Sequence, residues 1–356
     1  MKKFLVALLV AAMSLLSAQA WAVQGKLVWK FPYNDRITSG VALSGHTLLF
    51  GDQSGNFYGV NCNTGKVIWV NHGTSSIVCG TPSVTAHGHV IFAQADGAIT
   101  CVSVSNGSRH WRYVPNEHDD MHEVDTHEAL TDGTTVGGGK VFASKADRKL
   151  YAHSEKTGKV AWKYTVSDQG VRNAPAYYKG LVLLGEYDGT FSVINARTGK
   201  RIGGGGAGGA LNTPTVSNGV VYYSSWDGSV NAVKIEGIDP IWNANVGDPI
   251  TTEPAVGEGL VVVGTGRGYV VALNAHNGKE VWRYDTTPDD GEIGAAPLIG
   301  GGVVLAGAVS GNIFVFDAKT GKLLHTITGV DGLSFDGLYS NGVFYFVSAG
   351  DVCAVE

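Results

Sequence analysis

Charge is scarce in this chain. Only 16% of its 356 residues are Asp, Glu, Lys or Arg, and 26 Lys and Arg face 31 Asp and Glu. A formal charge of −5 leaves no basic surface of the kind that nucleic acid requires. Cysteine is rare as well: Cys62, Cys79, Cys101 and Cys353 include no vicinal pair and no CxxC. Four cysteines permit up to two disulfides, but a chain this long buries a core without them, so four buried thiols are expected. Beyond residue 22 no apolar run reaches the length of a membrane span. No segment has the pattern of a long helix, and neither a GxSxG elbow nor a P-loop occurs. What is abundant is apolar and small: 44% hydrophobic residues, 10% aromatics and 51 Gly. That excludes a disordered chain, and the glycines lack the every-third-residue period of collagen.

Residues 1–22 have the form of a secretory signal. Lys2 and Lys3 precede an apolar run from Phe4 to Leu16, and small residues at Ala18, Ala20 and Ala22 mark a cleavage region. The first cysteine is Cys62, so no lipid-attachment Cys follows the apolar run. A soluble periplasmic protein spanning residues 23–356 is expected.

Self-similarity organises the remainder. Residues 55–69 (GNFYGVNCNTGKVIW), 97–111 (GAITCVSVSNGSRHW), 148–162 (RKLYAHSEKTGKVAW), 189–203 (GTFSVINARTGKRIG), 228–242 (GSVNAVKIEGIDPIW), 268–282 (GYVVALNAHNGKEVW) and 311–325 (GNIFVFDAKTGKLLH) repeat one pattern. A β-rich run leads to a polar turn ending in Gly, with Trp four residues later. Anchors at 55, 97, 149, 189, 228, 268 and 311 are spaced by 42, 52, 40, 39, 40 and 43 residues. A period near forty is that of a four-stranded propeller blade. An eighth copy is split: residues 350–356 (GDVCAVE) begin it and residues 25–29 (GKLVW) complete it. The prediction is an all-β, single-domain, eight-bladed β-propeller of four-stranded antiparallel blades, closed by pairing of its N- and C-terminal segments. Strand A is placed around Pro82, Pro175, Pro214, Pro254 and Pro297. Strands such as Leu260–Gly264 and Tyr269–Asn274 form B and C, and D carries the Trp.

The motif around Ala272, Asn274, Asn277, Gly278 and Trp282 resembles the PQQ-like (quinoprotein-type) repeat. Gly59, Asn61, Thr64, Gly65 and Trp69 match it too, as do Ala152, Thr157, Gly158 and Trp162. The resemblance covers the mature chain and implies one of two activities. One branch, the quinoprotein dehydrogenases, holds PQQ over a metal ion, typically against a vicinal disulfide. The absence of a Cys-Cys pair and of CxxCH argues against it. The other branch resembles the cofactor-free propeller of the outer-membrane β-barrel assembly machine. It implies a protein-binding or scaffolding module of the bacterial cell envelope, with no cofactor, an envelope protein or peptide as partner, and a monomeric state by itself. The alternative is a PQQ- or metal-dependent periplasmic oxidoreductase with its site at the channel mouth.

Propeller geometry brings the D–A connections and B–C turns to one face. The longest such connection, residues 115–128, holds His118, His122 and His127 among Asp120, Glu123 and other carboxylates, a donor set for Zn²⁺ or Cu²⁺ without a standard spacing. Asp289, Asp290 and Glu292 are expected across the ring, and Arg148, Arg172 and Arg267 on the same face. Tyr187 and Trp226 are adjacent aromatics suited to a partner or a flat ligand. Residues 203–209 (GGGGAGG) displace the Trp of one blade and read as a flexible D–A loop or as a place where a partner's backbone comes close.

Overall fold

The computed structural model describes residues 26–31, 35–73, 76–115, 133–171, 173–287, 291–328, 333–348 and 350–356. Their regular structure is β-strand, arranged as eight four-stranded antiparallel sheets, the blades of an eight-bladed β-propeller. Blade 6 shows the plan. Strand A (Ala255–Gly257) pairs with B (Leu260–Gly264), B with C (Tyr269–Asn274), and C with D (Glu280–Asp285). Strand B is buried along its whole length because blades pack on both of its faces, whereas the outer strand D is mostly exposed. Val, Leu and Ala therefore fill B and C, and charge collects on D. The core is a set of apolar layers between neighbouring blades.

Short A strands line the centre. Four of the anchoring prolines, Pro175, Pro214, Pro254 and Pro297, stand immediately before strand A, where the missing N–H costs no ladder bond. Pro82 instead lies within Val78–Val84, at a register shift between Cys79 and Ser83. Hydrogen bonds between A segments knit the ring: Thr215 Oγ1 donates to Pro254 O at 2.7 Å, and Thr38 Oγ1 to Val78 O at 2.6 Å.

The tryptophans bridge blades. Each lies opposite a small residue of its own strand C: Gly59 faces Trp69, Cys101 faces Trp111, Ala152 faces Trp162, and Ala272 faces Trp282. The indole then reaches the next blade's C–D hairpin. Trp69 Nε1 donates to Val104 O (2.7 Å), Trp111 to Glu155 O (2.8 Å) and Trp282 to Ala318 O (2.7 Å). Its ring covers the hairpin Gly so closely that a Cβ on Gly278 would lie 2.6 Å from Trp242. That Gly also adopts φ +71°, so sterics and backbone both require it.

Blade 4 departs from this plan in a compensated way. Strand D is Arg201–Gly206, so residues 203–206 belong to a paired strand and not to a flexible loop. Gly203 occupies the Trp position, faces Val193 rather than a small residue, and would strike Ile238 with a Cβ at 2.2 Å. Ile238 holds the hairpin position that is Gly in other blades, at φ +58°. The pair has exchanged roles: the large side chain now comes from the hairpin and the vacancy from strand D.

Blade 8 closes the circle. Leu333–Ser340, Val343–Ser348 and Asp351–Val355 are joined by Leu27–Phe31, with Leu27 opposite Val355, Trp29 opposite Ala354 and Phe31 opposite Val352. Lys26 and Glu356 exchange two backbone hydrogen bonds of 3.1 and 3.0 Å. All four cysteines are buried and none forms a disulfide.

Candidate functional site

The B–C turns and D–A connections meet on one face, as their mutual hydrogen bonds show. Val166 N donates to Arg148 O, Tyr187 N to Gly170 O, Leu211 N to Glu186 O, and Ile293 N to Thr265 O. Behind this face the turns are anchored by buried polar groups with satisfied partners. Asp52 accepts from the Ser54 and Asn56 amides, the Asn56 side chain and the Tyr58 hydroxyl, all within 3.0 Å. Glu186 accepts from Ser167 N (2.7 Å) and Ser192 Oγ (2.6 Å), and Lys145 Nζ donates to Gly97 O (3.0 Å). These groups serve the scaffold.

What projects outward is different. Tyr187 and Trp226, from the B–C turns of blades 4 and 5, approach to 6.3 Å between ring centroids at 55°. Trp226 is 50% exposed. Beneath it, Asp227 ties the turn to the preceding connection, accepting from Gly208 N (2.6 Å) and Ser229 N (2.9 Å). Partial burial alone would push the Asp227 carboxyl up; hydrogen bonds from Ser229, Gly208 and Ser225 outweigh it and hold the pKa below its ordinary value. Trp226 N also donates to Ala210 O (3.0 Å), so residues 207–210 are strapped to this turn. In blade 6, Arg267 reaches Asp248 at 3.2 Å. In blade 3, Arg148 pairs with Asp168 at 3.7 Å, both well exposed. Arg148 also sits at φ +59° in the turn slot that is Gly55, Gly97, Gly189, Gly228, Gly268 and Gly311 in other blades. Glu292 is exposed, and its carbonyl accepts from Val309 N at 2.9 Å.

The structure thus unites Arg148, Tyr187, Trp226, Arg267 and Glu292 in an arc over blades 3–7. Arg172, Asp289 and Asp290 lie outside the described residues, as do His118, Asp120, His122, Glu123 and His127 of the proposed metal loop. Among the described residues no His, Cys, Asp and Glu cluster has a metal-holding arrangement.

The opposite face carries a cavity of about 500 Å³ between blades 2 and 3, lined by His87, His89, Cys101, His110, Trp111 and Glu155 among others. The His89 and His110 rings stand 4.0 Å apart. Burial and the neighbouring His110 lower the His89 pKa, against the pull of Glu155. The Cys101 thiol is pushed up to about 12, chiefly by burial, so it stays protonated and unreactive at neutral pH.

With the arc and the repeat geometry in place, the comparisons with known proteins are decisive for the family. The family model of the outer membrane protein assembly factor BamB matches residues 15–127, 119–202 and 226–355. The chain belongs to the BamB family. BamB of Shewanella oneidensis is 27% identical over 214 residues, 53% of this chain and 54% of that protein. A tetrathionate hydrolase of Acidithiobacillus ferrooxidans is 27% identical over 268 residues, 57% of this chain and 52% of that enzyme. The chain therefore spans about half the length of these curated relatives. The solved BamB of Moraxella catarrhalis superposes with a TM-score of 0.75 at 16% identity, covering 93% of this chain and 97% of that one, a likeness of fold.

Within this BamB-family ring, sequence reasoning overlooked Val309, 62% exposed in the same turn position as Tyr187 and Trp226. Aligning the B–C turns on their Gly would have found it. It also overlooked the histidine-lined cavity, whose signal is the His87-Gly88-His89 triplet; His110 joins it only through blade geometry.

Proposed function

We propose that this chain is exported after removal of residues 1–22 and serves, without a cofactor, as a protein-binding scaffold of the bacterial cell envelope. Its partner engages the face carrying Arg148, Tyr187, Trp226, Arg267, Glu292 and Val309. One observation carries the reading. Trp226 at 50% exposure and Val309 at 62% stand in the same B–C turn slot of blades 5 and 7, and Tyr187 of blade 4 meets Trp226 at 6.3 Å. Exposed Trp and Tyr with Arg on the same face are the residue types enriched at interaction hot spots. The relatives named as outer membrane protein assembly factors support an envelope setting. Among the described residues no helix is long and apolar enough to cross a membrane.

The test is site-specific photo-crosslinking at position 310, exposed beside Val309, in the envelope fraction, repeated with Trp226→Ala, Val309→Ser and Arg148→Gly. Crosslinked partner is expected to fall at least tenfold in the first two. Arg148→Gly is expected to bind less while melting at an equal or higher temperature, because Gly relieves the φ strain. If changes at exposed Ile68 or Val281 on the blade edges abolish capture and those on the face do not, the placement is wrong.

A second reading, a PQQ- or metal-dependent oxidoreductase, draws on a partial match to quinohemoprotein alcohol dehydrogenase ADH-IIG of Pseudomonas putida, 28% identical over 171 residues but spanning 19% of that enzyme. The described residues fit such a group poorly: the thiols are dispersed and buried, and no described ligand cluster converges. Stoichiometric metal in the purified protein, lost on changing His118, His122 and His127 to Ala, would favour this reading.

A further inference from the structure

The outer strand of blade 4 is bare in a way that its own packing does not require. Of its four consecutive glycines, Gly203 is fixed by Ile238, and Gly204 by φ +151° and by Phe191 O, which its Cβ would meet at 1.9 Å. Gly205 has neither constraint. Its φ lies outside the left-handed region, and a Cβ there would touch only the Tyr223 hydroxyl, at an ordinary 3.4 Å. Gly206 is tighter, since a Cβ there would meet Gly189 O at 3.0 Å, and both residues are exposed. Glycine in a strand interior sacrifices stability, and it recurs where another backbone comes close.

The ladder fixes which groups are on offer. Ala207 N donates to Gly189 O, and Phe191 lies opposite Gly205. In an antiparallel pair inward-facing and outward-facing residues alternate, so Gly204 and Gly206 turn their N–H and C=O groups away from strand C, along the open edge. Most other outer strands carry the usual deterrents to pairing: Arg109 and Arg112 in blade 2, Lys163 in blade 3, Pro240 in blade 5, Glu280 and Arg283 in blade 6, Lys30 in blade 8. Blade 4 has its charge at one end only. Arg197, Lys200 and Arg201 are exposed, make no ion pair among the described residues, and the Arg201 guanidinium lies over Gly204.

We propose that the edge of Arg201–Gly206 receives an extended, acidic peptide segment as a fifth strand of blade 4, its backbone pairing with Gly204 and Gly206 and its carboxylates meeting Arg201, Lys200 and Arg197. This surface is distinct from the aromatic arc, so the two proposals stand or fall separately. Strand addition supplies affinity through the main chain, and the basic cluster selects the charge of the incoming segment.

The probe is an acetylated, amidated peptide of sequence Thr-Val-Thr-Val-Thr-Glu-Glu, with a Lys-Lys counterpart, followed by fluorescence anisotropy and by amide hydrogen exchange of the full chain. Binding of the acidic peptide should slow exchange of the residue 202–207 amides at least tenfold while leaving the Trp226 turn unchanged. Gly206→Pro, which removes an outward donor and no ladder bond, should weaken binding at least tenfold. Arg201→Glu should do the same and restore binding to the Lys-Lys peptide. Unchanged exchange at residues 202–207, equal binding of both peptides to the unmodified protein, or protection arising from a concentration-dependent dimer on this edge would each overturn the proposal. The exchange measurement on unmodified protein keeps the test decisive if a variant fails to fold.

Discussion

His153 illustrates how a single side chain ties this ring to pH. It lies wholly buried on strand C of blade 3, with Tyr113 edge-on at 4.5 Å and Tyr151 stacked at 5.9 Å. Its Nδ1 stands 3.0 Å from Gly158 O, which only accepts, so Nδ1 carries the proton and Nε2 has no partner. Burial, with the Lys145 and Lys163 charges, lowers its pKa from 6.5 to about 4, against the raising effect of the Gly158 hydrogen bond. The unfolded chain therefore binds a proton that the folded one refuses between these values. Stability from this site is full above pH 6.5 and is lost on acidification toward pH 4. That loss approaches about 3 kcal/mol by pH 4. His153→Gln keeps a donor for Gly158 and cannot titrate. Calorimetric melts from pH 7.5 to 4 are expected to show a shallower decline for the variant, and parallel curves would refute the assignment.

At the level of the strand and hairpin, the exchange between Gly203 and Ile238 makes a quantitative prediction. Gly203→Trp alone overpacks the junction of blades 4 and 5 and should cost about 1–3 kcal/mol. Ile238→Gly alone opens a cavity, partly offset by relief of its positive φ, for a net loss of about 1–3 kcal/mol. Combined, with Val193→Ala in every background to clear the facing position, the two changes should recover most of both losses. A coupling energy near zero in urea unfolding would show that the residues do not share one space. The same junction marks where reading the chain alone stops. Period and hairpins were legible because strand C and strand D are neighbours in sequence, and the split eighth copy because each half keeps its own part of the motif; Leu260–Gly264 and Tyr269–Asn274 have the bounds expected of them. The loss of Trp at Gly203 was visible as well. Its replacement by a residue 35 positions later was not, since that contact exists only between blades. Tyr187 and Trp226 could be placed side by side because they fill the same turn slot of consecutive repeats, whereas His89 and His110 stand on strands B and D of blade 2, on either side of strand C, at positions that no repeat pattern links.

For the whole molecule, cohesion is a circular property. Neighbouring blades share one core layer each, so cutting any one junction leaves a linear array with two wet faces. The junction that the chain itself does not bridge rests on Leu27–Phe31 and the Lys26–Glu356 exchange. Deleting residues 23–31 is expected to lower the melting temperature by at least 10 °C and to broaden the transition. Linking Glu356 to Lys26 through a short Asn-Gly turn, with new termini in the blade 6 hairpin at His276–Asn277, should leave the melt intact, because it moves the seam without removing a strand. An unchanged melt for the deletion would mean that this seam carries no closing load.

The seam has a further implication for biogenesis. Leu27 pairs with Val355, from the far end of the repeat array. Seven blades are each built from contiguous sequence, yet the annulus locks only when these two distant segments meet. A product that lacks Asp351–Val355 is thus an open arc with sticky ends, and quality control has a simple physical mark by which to tell it from the closed ring.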